Sequence, residues 1–382
     1  MSTAAPKDFL FVQSTTEVGG AEVVLLNMFA ESAELRRRSL IVTLGFGQGD
    51  LPARLRALGA EVVELKMPRL RQVWGLPPVF WQLRQVARAS GVRAIIGNGA
   101  HPQIVAGLLS RLVGARSVFL AHNMYRYPLL KNDPPDIVGL SGPMDLVLAV
   151  SGAVQACLGK LRPRIPSALM YNGTPIRPVT GDEAAQTRQE LGVAPDEVLV
   201  GVFGRLQRWK GQDVFVAAAG QVARERPRTK FAVVGGSVFG LEPEFAVGLR
   251  ESAAALGLNG RISFTGQRSD VPRLMAACDV VCHTSRHPEA FGMVVVEAMS
   301  QGRAVIATGP AGPAEIVTPP CGILVQPDAP DELARAIRTL VDDPEKRLRM
   351  GIAGRERATR DFSMSQMVAT FLEHVDKLIG AR

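Results

Sequence analysis

The sequence predicts an α/β chain of two doubly wound, Rossmann-like domains in tandem. Short apolar strand-like runs alternate with helix-like periodic segments along almost the whole chain, and 382 residues suffice for two such domains. Glycine-bearing loops also follow several of the strand-like runs directly.

In the first half the strand-like runs are 9–13, 40–44, 61–65, 94–97, 117–121, 146–150 and 168–171, with helical patterns such as 21–31 and 104–112 between them. The second half repeats the scheme with strands at 198–203, 230–234, 262–265, 280–283 and 304–307, and helices at 213–225, 242–256, 331–341 and 345–359. Pro175, Pro178 and Pro195, with Thr180-Gly181-Asp182, mark 175–197 as a linker with room for a short helix. The expected division is an N-terminal domain over 1–175 and a C-terminal domain over 176–362. A closing amphipathic helix within 363–382 would return to the first domain. Open parallel sheets bind ligands beyond the carboxyl ends of their strands, so two such domains are expected to face each other across a ligand cleft.

Composition narrows the class. Apolar content is 47% and charged content 21%, and no run of 18 apolar residues suggests a membrane-spanning helix. The start of the chain lacks the long apolar core of a signal peptide, which predicts a cytoplasmic protein. Cys157, Cys278, Cys282 and Cys321 have no metal-type spacing and read as reduced core thiols. The positive charge is confined to the first half: residues 1–178 carry a net +9 and residues 179–382 a net −1. Such a surface suits anionic lipid or a phosphorylated acceptor. Nucleic acid fits poorly, because 3 Tyr and 3 Trp offer little stacking surface.

Glu289 and Glu297, with seven residues between them, are the most informative pair. The strand at 280–283 precedes them, and Gly292 opens a helix running to about Gln301. Glu289 then lies in the loop above the strand and Glu297 more than a turn inside the helix. Between them the unpaired amides of a helix N-terminus can hold phosphate, while each carboxylate can accept sugar hydroxyls. Two solvated acids around a helix start are the bland alternative. Upstream, Arg205 follows the strand 198–203 and Lys210 precedes a helix, so both can neutralise a diphosphate; as loop cations they can equally be surface charges. Gly19-Gly20-Ala21-Glu22 joins the first strand to the first helix, and His122 falls directly after the strand 117–121. No HExxH, Asp-x-Asp or G-x-S-x-G is present, so neither a metal site nor a serine-hydrolase elbow is expected.

Together these residues resemble glycosyltransferase family 4, the retaining sugar-nucleotide transferases of the GT-B fold. The resemblance runs from Gly19-Gly20-Ala21-Glu22 to the closing helix. It is most specific in Pro288-Glu289-Ala290-Phe291-Gly292 through Glu297-Ala298-Met299, and in Gly204-Arg205-Leu206 with Lys210-Gly211. It implies donor-sugar hydroxyls on Glu289, ribose on Glu297 and the diphosphate on Arg205 and Lys210. It also implies loop amides at Phe291, Gly292, Met293 and Val294, a donor- and acceptor-side histidine at His122, and a glycine loop at Gly20 under the transferred group. Ser151 matches a family serine with no catalytic role. Ala290 and Tyr171 depart modestly from the family pattern, and the acceptor region 126–143 matches nothing assignable.

The expected reaction is retaining transfer of a hexosyl unit from a UDP- or GDP-sugar to an acceptor hydroxyl, without metal or other cofactor. Polysaccharide, glycolipid or glycoside natural-product assembly would use such a reaction. The alternatives are a GT-B-like sugar-nucleotide epimerase and a non-catalytic sugar-nucleotide-binding relative. A lipid-linked or phosphorylated acceptor at the inner membrane face suits the basic first half. Trp74, Pro77, Pro78 and Trp81, beside Arg69, Arg71, Arg84 and Arg88, form either a docking surface or a loop and helix packed on the sheet.

Overall fold

The structure, a computed structural model, describes residues 6–45, 49–66, 76–124, 143–237 and 242–380. Trp74, Arg69, Arg71 and residues 126–142 of the acceptor region lie outside them. The chain divides into two compact units, Met1–Pro175 with Met364–Arg382, and Ile176–Ser363.

The first unit holds a seven-stranded parallel sheet. In chain order its strands are β1 (Phe9–Gln13), β2 (Ser39–Thr43), β3 (Glu61–Glu64), β4 (Ala94–Asn98), β5 (Arg116–Ala121), β6 (Leu146–Ala149) and β7 (Ser167–Leu169). The sheet order is β3-β2-β1-β4-β5-β6-β7. Central strands of a sheet covered on both faces read as continuous apolar runs, and every residue of β1 and β2 is buried. Helices α1 (Gly20–Glu31), α2 (Ala33–Arg38), α3 (Leu51–Ala57), α4 (Leu76–Ala89) and α5 (Ala100–Val113) join the early strands. On one face Leu10, Val12 and Ile95 pack with Leu83 of α4 and Leu109 of α5. On the other, Phe11 meets Phe29 of α1 edge-on at 5.3 Å between ring centroids. The closing helix, Met364–Gly380, lies on that second face: Phe371 is 5.7 Å from Phe9, and Asp376 accepts from Arg38 Nη1 at 2.9 Å.

The second unit holds six parallel strands, β8 (Val198–Phe203), β9 (Thr229–Val234), β10 (Ile262–Gly266), β11 (Val280–His283), β12 (Ala304–Thr308) and β13 (Gly322–Val325), in the order β10-β9-β8-β11-β12-β13. In both sheets the strand order reverses next to the first strand, between β1 and β4 and between β8 and β11. The loops leaving those strands splay apart and leave room for ligands.

Several expected boundaries move. Strand β13 is absent from the sequence reading: four residues at a sheet edge, with Leu324 41% exposed, give no run long enough to stand out. The last strand of the first sheet is Ser167–Leu169 rather than 168–171. The expected linker contains a helix, Gly181–Glu190, inside the second unit. There Thr180 accepts from the Glu183 N–H at 3.3 Å, and the Glu183 carboxylate accepts from the Thr180 N–H at 3.1 Å.

Candidate active site

The second unit gathers its polar groups on the loops that leave β8 and β11. After β8 the chain makes a 3-10 turn, Arg208–Lys210, and then turns through Gly211, the N-cap of helix Gln212–Glu225. Gly211 has φ +68°, and a Cβ there would meet the Thr284 carbonyl oxygen at 2.1 Å. Thr284 Oγ1 in turn donates to the Lys210 carbonyl at 2.9 Å. The turn is therefore locked against the loop after β11, which aims Lys210 across the strand reversal. Arg286 reinforces the junction with two 2.8 Å bonds to the Asp213 carboxylate and a third to the Arg208 carbonyl, also 2.8 Å.

Lys210 Nζ reaches Glu289 Oε1 at 2.5 Å, and the two side chains are 18% and 12% exposed. Ser285 Oγ donates to the same oxygen. His283 Nε2 lies 3.1 Å from it, off the angle of a hydrogen bond. Burial alone would raise the Glu289 carboxyl, but His283 and Lys210 outweigh it and hold the group well below the usual carboxylate range. The Glu289 backbone is fixed too: it pairs with Ala311 in an isolated parallel bridge, and its carbonyl accepts from the Gly312 N–H at 3.0 Å.

Gly292, at φ +105°, caps the helix Met293–Ser300. The amides of Met293 and Val294, in the first turn, have no intrahelical acceptor. The Phe291 ring faces away from them into the core, edge-on to Phe362 at 5.8 Å. The contribution open to Phe291 at the site is therefore its backbone. Glu297 lies on the second turn, half-buried, and burial pushes its carboxyl up to about 7. Among the described residues no cation or donor pairs with it. Arg205 leaves the carboxyl end of β8 exposed, its guanidinium likewise without a protein partner among the described residues.

In the first unit His122 follows β5, and its Nε2 lies 2.6 Å from Asn98 Oδ1 at the end of neighbouring β4. An amide oxygen only accepts, so this arrangement places the imidazole proton on Nε2 and leaves Nδ1 bare. Burial lowers His122 to about 4, so the ring is neutral at pH 7. Gly20 is exposed at the first turn of α1, and a Cβ there would meet nothing within 4 Å. The preceding Gly19 N–H is capped by Glu22 Oε2 at 3.1 Å. Ser151 serves the fold, since its Oγ accepts from the Val154 N–H at 3.1 Å and caps the helix Gly152–Leu161.

The second unit thus brings Lys210 and Glu289 into contact and sets Arg205 in the loop after β8, with Gly292 and Glu297 on the helix that follows β11. His122 and Gly20 belong to the first unit. Sequence reasoning missed Asn98, His283, Ser285 and Arg286. Their strand-end positions in Gly97-Asn98-Gly99 and His283-Thr284-Ser285-Arg286 were the available signal.

The comparisons with known proteins agree with this architecture. The family described as "Glycosyl transferases group 1" matches residues 183–357, and that described as "Glycosyl transferase 4-like domain" matches 19–201. A D-inositol 3-phosphate glycosyltransferase of Segniliparus rotundus is 35% identical over 184 residues, 47% of this chain and 40% of the relative. The lipopolysaccharide core biosynthesis mannosyltransferase LpsB of Rhizobium meliloti is 29% identical over 227 residues, 58% of this chain and 63% of the relative. The chain thus spans about half the length of these curated relatives. Anabaena Alr3699/HepE, solved with UDP, superposes with a TM-score of 0.86 at 29% identity, covering 97% of this chain and all (100%) of that one. With the two family matches running almost end to end, the chain belongs to the glycosyl transferases of group 1, with a glycosyl transferase 4-like first domain.

Proposed function

We propose that the chain is a retaining hexosyltransferase that uses a nucleoside-diphosphate sugar and needs no metal. The observation that carries this reading is the buried Lys210–Glu289 pair beside the helix capped at Gly292, with Arg205 in the loop after β8 and without a partner among the described residues. In this reading Arg205, Lys210 and the amides of Phe291 to Val294 take the diphosphate. Glu297 takes the ribose and Glu289 the hexose hydroxyls. Two cations and a helix N-terminus supply the charge that a divalent ion supplies elsewhere.

The acceptor hydroxyl attacks the anomeric carbon on the face from which the diphosphate departs. The new C–O bond forms as the bond to the phosphate oxygen breaks, and that oxygen accepts the hydroxyl proton. Configuration is then retained without a protein nucleophile. The family resemblance assigns neutral His122, held by Asn98 within the first unit, to the donor and acceptor side of the reaction. Uridine is the favoured base, since HepE was solved with UDP-glucose at 29% identity to this chain. A lipid-linked or phosphorylated acceptor suits the basic first half.

The test is a calorimetric and thermal-shift panel of UDP, GDP, ADP and dTDP with their sugars, all in EDTA. Tight binding of one nucleotide without metal, and product of unchanged anomeric configuration, is the expected result. Conversion of the donor without acceptor would identify an epimerase. Silence toward every nucleotide would leave only the fold.

A further inference from the structure

We propose that the outward face of α4 and α5 docks on an anionic phospholipid surface. Both helices cover the same face of the first sheet, where Val79, Leu83 and Ala87 of α4 and Val105, Ala106 and Leu109 of α5 share one apolar cluster with Leu10 and Ile95. The opposite stripe of α4 carries Trp81, 60% exposed, then Arg84 and Arg88 at helical spacing. The opposite stripe of α5 carries Leu108 and Leu112, 45% and 51% exposed, beside Arg111. Neither helix contains an Asp or a Glu. Arg84 and Arg88 have no protein partner among the described residues, and Arg111 only brushes Asp145 at 3.8 Å.

Exposed apolar side chains are ordinary when scattered. The second unit shows the ordinary case: Leu348 and Ile352, 66% and 52% exposed, lie on a helix that mixes Glu345, Glu356 and Asp361 with its cations. The α4–α5 face joins an indole and two leucines to cations alone. That combination suits a surface with phosphate headgroups above an apolar layer, the indole settling at the boundary. A second copy of the chain would meet the same cations and be repelled. The docking does not depend on the transferase reading and would hold for any ligand of the second unit.

The test is co-sedimentation of the full chain with vesicles of phosphatidylcholine, alone and mixed with phosphatidylglycerol. Binding should require phosphatidylglycerol, weaken with salt, and fall roughly thirtyfold in Arg84→Gln/Arg88→Gln. Trp81→Ser and Leu108→Ser/Leu112→Ser should also bind more weakly, while Leu348→Ser/Ile352→Ser should match wild type. Equal binding to neutral vesicles, no binding at all, or a concentration-dependent dimer abolished by Leu108→Ser/Leu112→Ser would each overturn the proposal. Far-UV circular dichroism and thermal unfolding check the fold of each variant, and UDP binding by the wild type tests the transferase reading separately.

Discussion

Lys210 Nζ and Glu289 Oε1, 79 positions apart in the chain, meet at 2.5 Å as a mostly buried ion pair. The two groups proposed to hold diphosphate and hexose thus hold each other. A donor entering this site must share or replace that contact. The ammonium can turn to phosphate while Ser285 and His283 keep the carboxylate company.

Removing one partner of a buried pair leaves the other charge uncompensated, at a cost of about 3–5 kcal/mol. Lys210→Ala should therefore lower stability by that order, softened by His283, and the Lys210→Ala/Glu289→Ala double variant should recover part of the loss. A double-mutant cycle in denaturant measures the coupling. Turnover of Lys210→Ala should fall about 10²–10³-fold. A single variant as stable and active as wild type would sink the assignment.

Acid should leave this pair intact longer than ordinary surface pairs. A carboxyl held below its unfolded value contributes stability that is present above that value and lost as pH falls through the folded one. The Lys210–Glu289 contribution should be whole above the ordinary glutamate value of 4.5 and fade steadily as pH falls below it, because the unfolded chain takes up the proton first. Acid titration of wild type against Glu289→Gln should show the stability difference constant above that value and shrinking continuously below it.

Glu297 shifts the other way, to about 7 through burial. Between the ordinary carboxylate value and about 7 the folded state binds the extra proton, so this group lowers stability as pH rises through that window and adds no slope above it. Ribose hydroxyls donate better to an ionised carboxylate, so UDP affinity should rise as pH climbs through about 7. Calorimetry should find that rise in wild type and lose it in Glu297→Gln. A pH-independent wild-type affinity would remove Glu297 from the nucleotide site.

Strand alternation made both sheets legible, because a strand covered on both faces reads as an almost unbroken apolar run, and every residue of 9–13 and 280–283 is buried, the polar Gln13 and His283 coming only at the carboxyl ends. The position of Glu289 above a strand and of Gly292 at a helix start followed from the same rule. The pairings did not. Nothing local links Lys210 to Glu289, or Asn98 to His122 24 positions away, until the strand order brings neighbouring carboxyl ends together. The edge strand β13 escaped because its apolar run is only four residues long and sits between Pro320 and Pro327.

His122 should stay neutral across the working pH range. Its imidazole signals should not titrate between pH 8 and 5, and should report a proton on Nε2. Asn98→Asp would place a carboxylate beside the ring and raise its pKa into the titratable range, whereas Asn98→Ala would free the tautomer without adding charge. Nitrogen-edited NMR on the three proteins distinguishes these outcomes. A wild-type ring that titrates near 6.5 would mean that burial does not hold it neutral.

Gly211→Ala tests whether the turn itself positions Lys210. Any side chain at φ +68° is strained, and here the added Cβ would also meet the Thr284 oxygen at 2.1 Å. The loops after β8 and β11 must then part, at a cost of about 1–3 kcal/mol, and Lys210 is carried away from Glu289. Gly159→Ala is the matched control: it lies inside the helix Gly152–Leu161, with nothing within 4 Å of an added Cβ, and should stabilise by about 0.4–1 kcal/mol. If the turn merely connects strand and helix, Gly211→Ala will lose stability but keep the turnover of its remaining folded fraction. If it aims the lysine, turnover per folded molecule will fall with it, and active-site titration with UDP separates the two.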